Sequence, residues 1–443
     1  MTLTKAGGTK EAPLVIEGNN ALITGLDIVP PEKWTHVKGN IYSTDFWPMS
    51  NMLKRYKPIQ HWIGRPQIWW IDGKAAKNCT SEEELLANVN GFYWNKPLKQ
   101  LWVNLPEGKK PSDFKIEIPV HGTSICINTD WVVVQNLRSK YSWNDGFDTH
   151  GKGRNIVFKN CTGTDNCGQG FSVHDDTTAL YENCHASRNA SSGICNVTKC
   201  ISMYRNCVLA DNTFEAGVYS AETAEIILEN CIIAGNQPFE QIWQRGKSKL
   251  FFINCVIAGT KDASGLVSAQ EGTAFFSQCT FVDAGFICKV PATSRCNITI
   301  INSIIARCSS PFLEIPERAE GNTVLANNIY WDGKGNIYNE KKYDASNWDV
   351  YLKTGREKSS RWINPNLGGN LSSELPKDNV LTEAGIWVNP EVSEIIVPLI
   401  PEDSIIKVNK ESNDKTCQIG ARIPKKVWKA YFDLLKHDKE KQF

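Results

Sequence analysis

Ile156-Val157-Phe158, then Asn160-Cys161, then Gly170-Phe171: this order of apolar run, amide plus thiol, and glycine plus apolar residue returns along the chain at nearly constant pitch. The amide positions are Asn136, Asn160, Asn183, Asn206, Asn230, Asn254, Gln278 and Asn302, separated by 24, 23, 23, 24, 24, 24 and 24 residues. In the six inner repeats the next residue is Cys161, Cys184, Cys207, Cys231, Cys255 or Cys279. The segment before the amide is β-rich, as in Val132-Val133-Val134, Ile226-Ile227-Leu228 and Leu250-Phe251-Phe252. About ten residues after it a second short strand begins, as at Gly146-Phe147, Gly193-Ile194 and Gly217-Val218. A unit of this length with short strands and no helical periodicity is one coil of a parallel β-solenoid. Coils stack at roughly 4.8 Å, so residues of equal phase form columns, and phase in the sequence becomes proximity in space.

The bulk composition limits the partners. Lys and Arg number 49 against 48 Asp and Glu, with seven His. A nucleic-acid partner would need a basic field that this balance does not supply, and no polybasic patch points to a membrane. No stretch approaches the length of a transmembrane helix. The oligomeric state is not legible. Most of the 15 cysteines fall at one phase of the repeat, where stacked Cβ vectors run parallel, a poor geometry for disulfides. They read as a ladder of buried, unpaired thiols. No CxxC pair or Cys/His cluster with zinc spacing occurs, and no run of acidic ligands points to calcium, so neither metal nor cofactor is expected.

Residues 1–29 read as an opening coil, through Leu14-Val15-Ile16-Glu17-Gly18. Residues 30–118 break the rhythm with Trp34, Trp47, Trp62, Trp69, Trp70, Trp94 and Trp102, and with turn signals at Asp72-Gly73 and Asn90-Gly91. The pairs Gln67-Ile68-Trp69-Trp70-Ile71 and Gln100-Leu101-Trp102-Val103-Asn104 suggest a small antiparallel β insert, with most of its tryptophans forming a local core. Residues 119–332 are the regular solenoid. Residues 333–443 form an irregular tail whose end, from Val427-Trp428 to Leu434-Leu435, has helical spacing. The tail is expected to pack along the solenoid, since open solenoid ends expose strand edges.

These features resemble right-handed parallel β-helix proteins of the carbohydrate-active type. The opening Gly7-Gly8-Thr9 to Pro13-Leu14-Val15-Ile16-Glu17-Gly18 is similar to that family's start. Leu101-Trp102-Val103-Asn104-Leu105-Pro106-Glu107-Gly108 is similar to its insert, and Asn328-Ile329-Tyr330-Trp331, Trp362-Ile363-Asn364-Pro365 and Gln418-Ile419-Gly420-Ala421 to its tail. The resemblance implies an all-β right-handed β-helix, a polysaccharide or oligosaccharide partner, and a secreted or periplasmic location. An export signal normally precedes the opening motif in such proteins, and Met1 to Lys5 lacks the apolar core of one.

Aligned on the repeat, successive coils read Phe147-Asp148-Thr149-His150, Phe171-Ser172-Val173-His174, Ile194-Cys195-Asn196-Val197, Val218-Tyr219-Ser220-Ala221 and Ile242-Trp243-Gln244-Arg245. Alternation turns the first residue of each inward and places Asp148, Ser172, Tyr219 and Trp243 outward, with His150, His174 and Arg245 two residues on. Asp175, Asp176 and Glu222 follow these strands, and Asn144 and Asp145 precede one. His150 and His174 are one coil apart, and His185 falls close by in sequence. Glycoside hydrolysis needs a protonated carboxyl and a second carboxylate; Asp148, Asp175, Asp176 and Glu222 are the acid/base pool, with His150 and His174 orienting or protonating. Trp143, Tyr219 and Trp243 are candidates for stacking on sugars, with Asn144, Asp145 and Arg245 as further contacts. Asp211, Glu215 and Glu240 read as solvated loop residues.

The kind of residues on these coils is similar to that in polygalacturonase-type glycosidases, although no Arg-x-Lys motif follows. Gly146-Phe147-Asp148-Thr149-His150 resembles the GFDPHD segment of alginate C5-epimerases, with Thr149 for Pro and Gly151 for the second Asp. That likeness implies a His base for elimination or epimerisation. A glycoside hydrolase is therefore the first expectation and a polysaccharide lyase or uronate epimerase the second. A non-catalytic glycan-binding or tailspike-like protein is the third.

Overall fold

The computed structural model describes residues 1–5, 7–45, 70–236, 240–259, 264–268, 271–290, 295–315, 323–338, 341–365, 367, 385–386, 416–417, 421 and 423–439. Trp47, Trp62, Trp69, Gln67-Ile68, Ala269 and Gln418-Ile419-Gly420 lie outside the described residues.

Each coil carries three strands. The first precedes the amide, as in Ile156–Lys159, Thr178–Glu182 and Ile201–Arg205. The second follows the thiol, as in Thr162–Thr164, His185–Ser187 and Val208–Ala210. The third follows the glycine, as in Phe147–Thr149, Phe171–Val173, Ile194–Asn196 and Ala216–Ser220. Third strands pair in parallel as the body of a 12-stranded sheet, with Lys341–Tyr343 antiparallel at one edge, while the other two faces join as one 20-stranded sheet. They join because Leu14–Thr24 and Val132–Lys140 run through the corner between them. The in-phase register Phe147↔Phe171↔Ile194↔Val218↔Ile242↔Leu266 holds without slippage.

The amide ladder marks the corner between the first two faces. Asn136, Asn160, Asn183, Asn206, Asn230, Asn254, Gln278 and Asn302 all have φ between 51° and 56°, a left-handed conformation that asparagine tolerates better than most L-residues. Their side chains also bond from coil to coil: Asn160 Nδ2 donates to Asn136 Oδ1 at 2.9 Å and Asn254 Nδ2 to Asn230 Oδ1 at 2.6 Å. Glu17 closes the lower end by accepting from Asn136. The thiols point inward and are buried. Cys161 Sγ donates to Val134 O at 3.5 Å, and the fourteen cysteines from Cys79 to Cys308 are free.

A second ladder, of Asn166, Asn189, Asn212 and Asn236, is fully buried at the turn into the third strand. Asn166 Nδ2 donates to Asn189 Oδ1 at 3.0 Å, Asn189 Nδ2 to Asn212 Oδ1 at 2.9 Å, and Asn212 Nδ2 to Asn236 Oδ1 at 2.8 Å. It has the same 23–24 residue spacing as the first ladder, and the sequence reading did not pick it out. Between the ladders the core is stacked aromatics, with Phe158, Tyr181 and Tyr204 at 4.9 and 4.5 Å.

The insert holds two small sheets, mainly antiparallel, including Gln100–Asn104 between Gly91–Asn95 and Ile41–Thr44. Its Lys77–Cys79 strand pairs in parallel. The helix Lys425–Lys439 lies on the second face, where Ile423, Val427, Trp428 and Tyr431 cover Val208, Ile232, Val256 and Ile304. Lys426 Nζ reaches Asn183 Oδ1 of the corner ladder at 2.8 Å. Among the described residues no helix is long and apolar enough to cross a membrane.

Candidate functional site

The outer surface of the 12-stranded sheet presents Asp148, Ser172, Cys195, Tyr219 and Trp243 in one column, one residue per coil. Phe147 and Thr149 on either side of Asp148 are both fully buried, so alternation fixes Asp148 as the residue that faces outward. After each third strand the chain turns a corner where Gly151, Asp175 and Glu222 have φ of 74°, 59° and 59°. A Cβ at Gly151 would stand 2.0 Å from Asn128 Oδ1, so a larger residue there would have to displace that side chain as well as adopt the positive φ that glycine favours. Asp175 turns back along the axis to meet the coil before it.

Two coils then close into one cluster. His150 Nε2 lies 2.9 Å from Asp148 Oδ2, and His150 Nδ1 lies 3.2 Å from Asp175 Oδ2. The Gly151 N–H donates to the same Asp175 oxygen at 2.8 Å. His174 stacks on His150 with ring centres 4.4 Å apart and planes 9° from parallel. His174 Nε2 is 2.6 Å from Ser172 Oγ and 3.7 Å from Asp148 Oδ1. Asp148 is only 4 % exposed, and its Oδ1 has no hydrogen-bond partner. The sequence reading made Asp148 an outward residue; it does face outward, but the two imidazoles cover it.

The electrostatics follow from this arrangement. The Asp148 carboxylate, with help from Asp175 and against burial, pushes the His150 imidazole up to about 9. Burial holds His174 below its ordinary value. The Gly151 amide, and then His150, hold the Asp175 carboxyl down. Burial, then the Asp148 charge, raises Asp145.

Other sequence candidates separate from the cluster. Asp145 is buried, accepts from Gln169 N at 2.8 Å and takes the Asn144 Nδ2 donor at 3.0 Å, so both face structure rather than a ligand. Trp143 is 6 % exposed in the core of the insert, among Trp34, Phe92 and Leu101. That removes it as a platform for sugars. Asp176 is ion-paired to Arg154 at 2.7 Å, and Glu222 stands exposed two coils above Asp175, about 10 Å along the axis. His185 is on the second face, which the C-terminal helix covers, and is not part of the cluster. Glu215 is no free loop residue, since it accepts from Ser191 and Ser192 hydroxyls at 2.7 and 2.9 Å. Glu240 opens a strand of the sheet and burial raises it to about 7.

Tyr219 and Trp243 remain half-buried on the sheet face, edge to face at 5.4 Å. The Arg245 guanidinium lies 5.6 Å from the Trp243 ring centre. Sequence reasoning did not assign a partner role to Ser172 or Arg154. Asp148, His150 and His174 also offer three donor atoms within 4.8 Å of one another, a spacing compatible with a metal ion. Coil stacking, with no zinc-type spacing in the sequence, brings these three residues together.

The profile of the right-handed beta helix region matches residues 199–347, and with the topology above it makes this chain a right-handed parallel β-helix. No curated protein matches the sequence. Among solved structures, XylC in complex with xylose is similar at 9% identity and a TM-score of 0.47, covering 84% of this chain and 81% of that one. A pectate lyase is similar at 13% identity and a TM-score of 0.39, covering 68% and 72%. The mannuronan C-5 epimerase A-module of Azotobacter vinelandii is similar at 14% identity and a TM-score of 0.39, covering 55% and 73%.

Proposed function

We propose that this β-helix is a carbohydrate-active enzyme that holds a linear glycan along the outer face of its 12-stranded sheet. Turnover takes place at the cluster of Asp148, His150, His174 and Asp175. The observation that carries this reading is the junction of that cluster with an aromatic track on the same face. Two stacked imidazoles share one buried carboxylate, and two coils above Ser172 the column continues as Tyr219 and Trp243. A glycan lying along the column would stack on the aromatics, with Arg245 beside them, and place a neighbouring sugar over the imidazoles.

Proton abstraction beside a uronate carboxylate, giving elimination or epimerisation, fits this geometry better than hydrolysis. Hydrolysis by two carboxyl groups needs an open gap of roughly 5–9.5 Å between them for the sugar or a water. Between Asp148 and Asp175 that gap is filled by the His150 ring, bonded at both nitrogens. Asp176 is occupied by Arg154. Imidazoles, rather than a free carboxyl pair, are the groups the cluster offers for proton transfer.

The test is a panel of uronans and neutral polysaccharides with product analysis. Elimination yields a double bond that absorbs in the ultraviolet, epimerisation changes the uronate composition without cleavage, and hydrolysis yields reducing ends alone. Asp148→Asn and His174→Ala are each expected to lower turnover by at least roughly 100-fold. Full activity in both variants would remove the cluster from the reaction, and reducing ends without unsaturation would return the hydrolase reading.

A further inference from the structure

The His150 ring stands between two carboxylates, those of Asp148 and Asp175. His150 Nδ1 lies 3.2 Å from Asp175 Oδ2. Nε2 then points at Asp148 Oδ2 from 2.9 Å. A neutral imidazole has one N–H for two carboxylates, so one ring nitrogen is left with its lone pair facing an oxygen, a position that a proton or a metal ion can fill. The second Asp148 oxygen is buried without a partner. It faces His174 Nε2 from 3.7 Å, beyond hydrogen-bond reach.

From these contacts we propose that Asp148, His150 and His174 form a binding site for one divalent transition-metal ion. Metal–ligand bonds of about 2.1 Å in tetrahedral array put donors about 3.4 Å apart. His150 Nε2 lies 2.9 Å from one Asp148 oxygen and His174 Nε2 3.7 Å from the other, and one donor atom from each of the three residues lies within 4.8 Å of the other two. Two imidazoles and one carboxylate select zinc, manganese, iron or cobalt over calcium and magnesium, which take oxygen ligands. Asp175, bonded to His150 Nδ1 and anchored by the Gly151 N–H, occupies the place of the carboxylate that orients a ligating histidine. The Ser172 hydroxyl, 2.6 Å from His174 Nε2, either turns away or takes a position on the ion. Both imidazoles are partly exposed, so the open coordination position faces the groove.

The consequence rests on the reading that this cluster is the reaction centre. Asp148 and Asp175 put two carboxylates against the imidazoles, so the cluster itself offers no fixed cation for a uronate carboxylate. The nearest proposed cation on the sheet, Arg245, is four coils from His150, about 19 Å along the axis. A divalent ion reverses the sign of the field at the centre and supplies the countercharge a uronate carboxylate needs. If the ion is bound, His150 and His174 would hold it, and a water on its open position would take over the proton transfer that the metal-free cluster leaves to the imidazoles.

The experiment is titration of metal-stripped, full-length protein with zinc by calorimetry, and with cobalt by visible absorption. One ion per chain is expected, with cobalt ligand-field bands in the visible. His174→Gln and Asp148→Asn should weaken binding by at least roughly 100-fold, Asp175→Asn by roughly 10–100-fold, and the remote Glu314→Gln not at all. Circular dichroism of each variant separates lost binding from lost folding, and His174→Gln, on a half-exposed residue, covers a misfolded Asp148→Asn. Wild-type binding no tighter than that of His174→Gln, or cobalt spectra unchanged by it, overturns the site. The two readings fail separately. Turnover that needs these residues but binds no ion leaves the catalytic reading and removes the metal. An ion bound by them with no glycan turned over does the reverse.

Discussion

Replacing Asn189 by alanine removes the middle rung of the buried ladder that sets the third strand against the second. Asn189 Oδ1 is the acceptor for both the Asn166 backbone N–H at 3.1 Å and Asn166 Nδ2 at 3.0 Å. Both donors belong to a fully buried residue, so the substitution orphans two of them where water does not reach. Each orphaned buried donor costs about 1–3 kcal/mol, giving about 2–6 kcal/mol in all, a large share of a domain's usual stability. The rim ladder provides the control. Asn206 makes longer bonds of 3.4 and 3.3 Å at a half-exposed corner. Alanine there costs about 1–2 kcal/mol, mainly because φ is 55°. Urea unfolding followed by tryptophan fluorescence measures both, and hydrogen exchange at the Asn166 amide locates the damage. A loss in Asn189→Ala below about 1.5 kcal/mol, or equal to that in Asn206→Ala, would refute the view that the inner ladder holds the sheet carrying the site.

Three further outcomes are expected. Glu357 is buried, with Oε1 bonded to Tyr330 and Asn328 and Oε2 without a partner, and burial raises its carboxyl. A carboxyl raised on folding contributes most below its unfolded value and loses that contribution as pH rises through the folded one. Glu357→Gln should therefore gain in Tm relative to wild type at pH 8 compared with pH 5, and a difference that is flat or falls between the two sets that assignment aside. Cys207→Ser should cost less than about 1 kcal/mol, because Ser303 already occupies the thiol phase and bonds Ile301 O at 2.9 Å; a loss of 2–5 kcal/mol, as for a broken disulfide, contradicts the free-thiol ladder. Trp243→Ala should weaken oligosaccharide binding roughly tenfold with Tm nearly unchanged, whereas Trp143→Ala should lower Tm and leave calorimetric affinity alone. The opposite pattern would exchange their assignments.

The parallel coil, its corner amides and its inward thiols were all legible in the chain, because a solenoid repeats one local solution and the repeat is written in every coil. The pairing of Asp148, His150, His174 and Asp175 was legible too, since phase gives neighbours once the pitch is known. The buried Asn166–Asn189–Asn212–Asn236 ladder carried the same periodic signal and was available to the same arithmetic. Other features had no periodic signal. Trp143 looks like any aromatic beside the site, and only the packing of the insert shows that its ring is buried there. His185 is near the cluster in sequence, but its phase puts it on another face.

Sequence alone determined which residues share a column, since stacking depends on backbone pairing that every coil repeats. Tertiary structure decided what those columns do. Whether Asp148 is free or covered, whether His150 fills the gap between two carboxylates, and whether an oxygen is left without a partner depend on side-chain rotamers and on contacts between coils. The chain encodes these contacts collectively, with no motif of their own. The fold therefore follows from the spacing, and the chemistry follows from distances of a few ångströms that spacing does not specify.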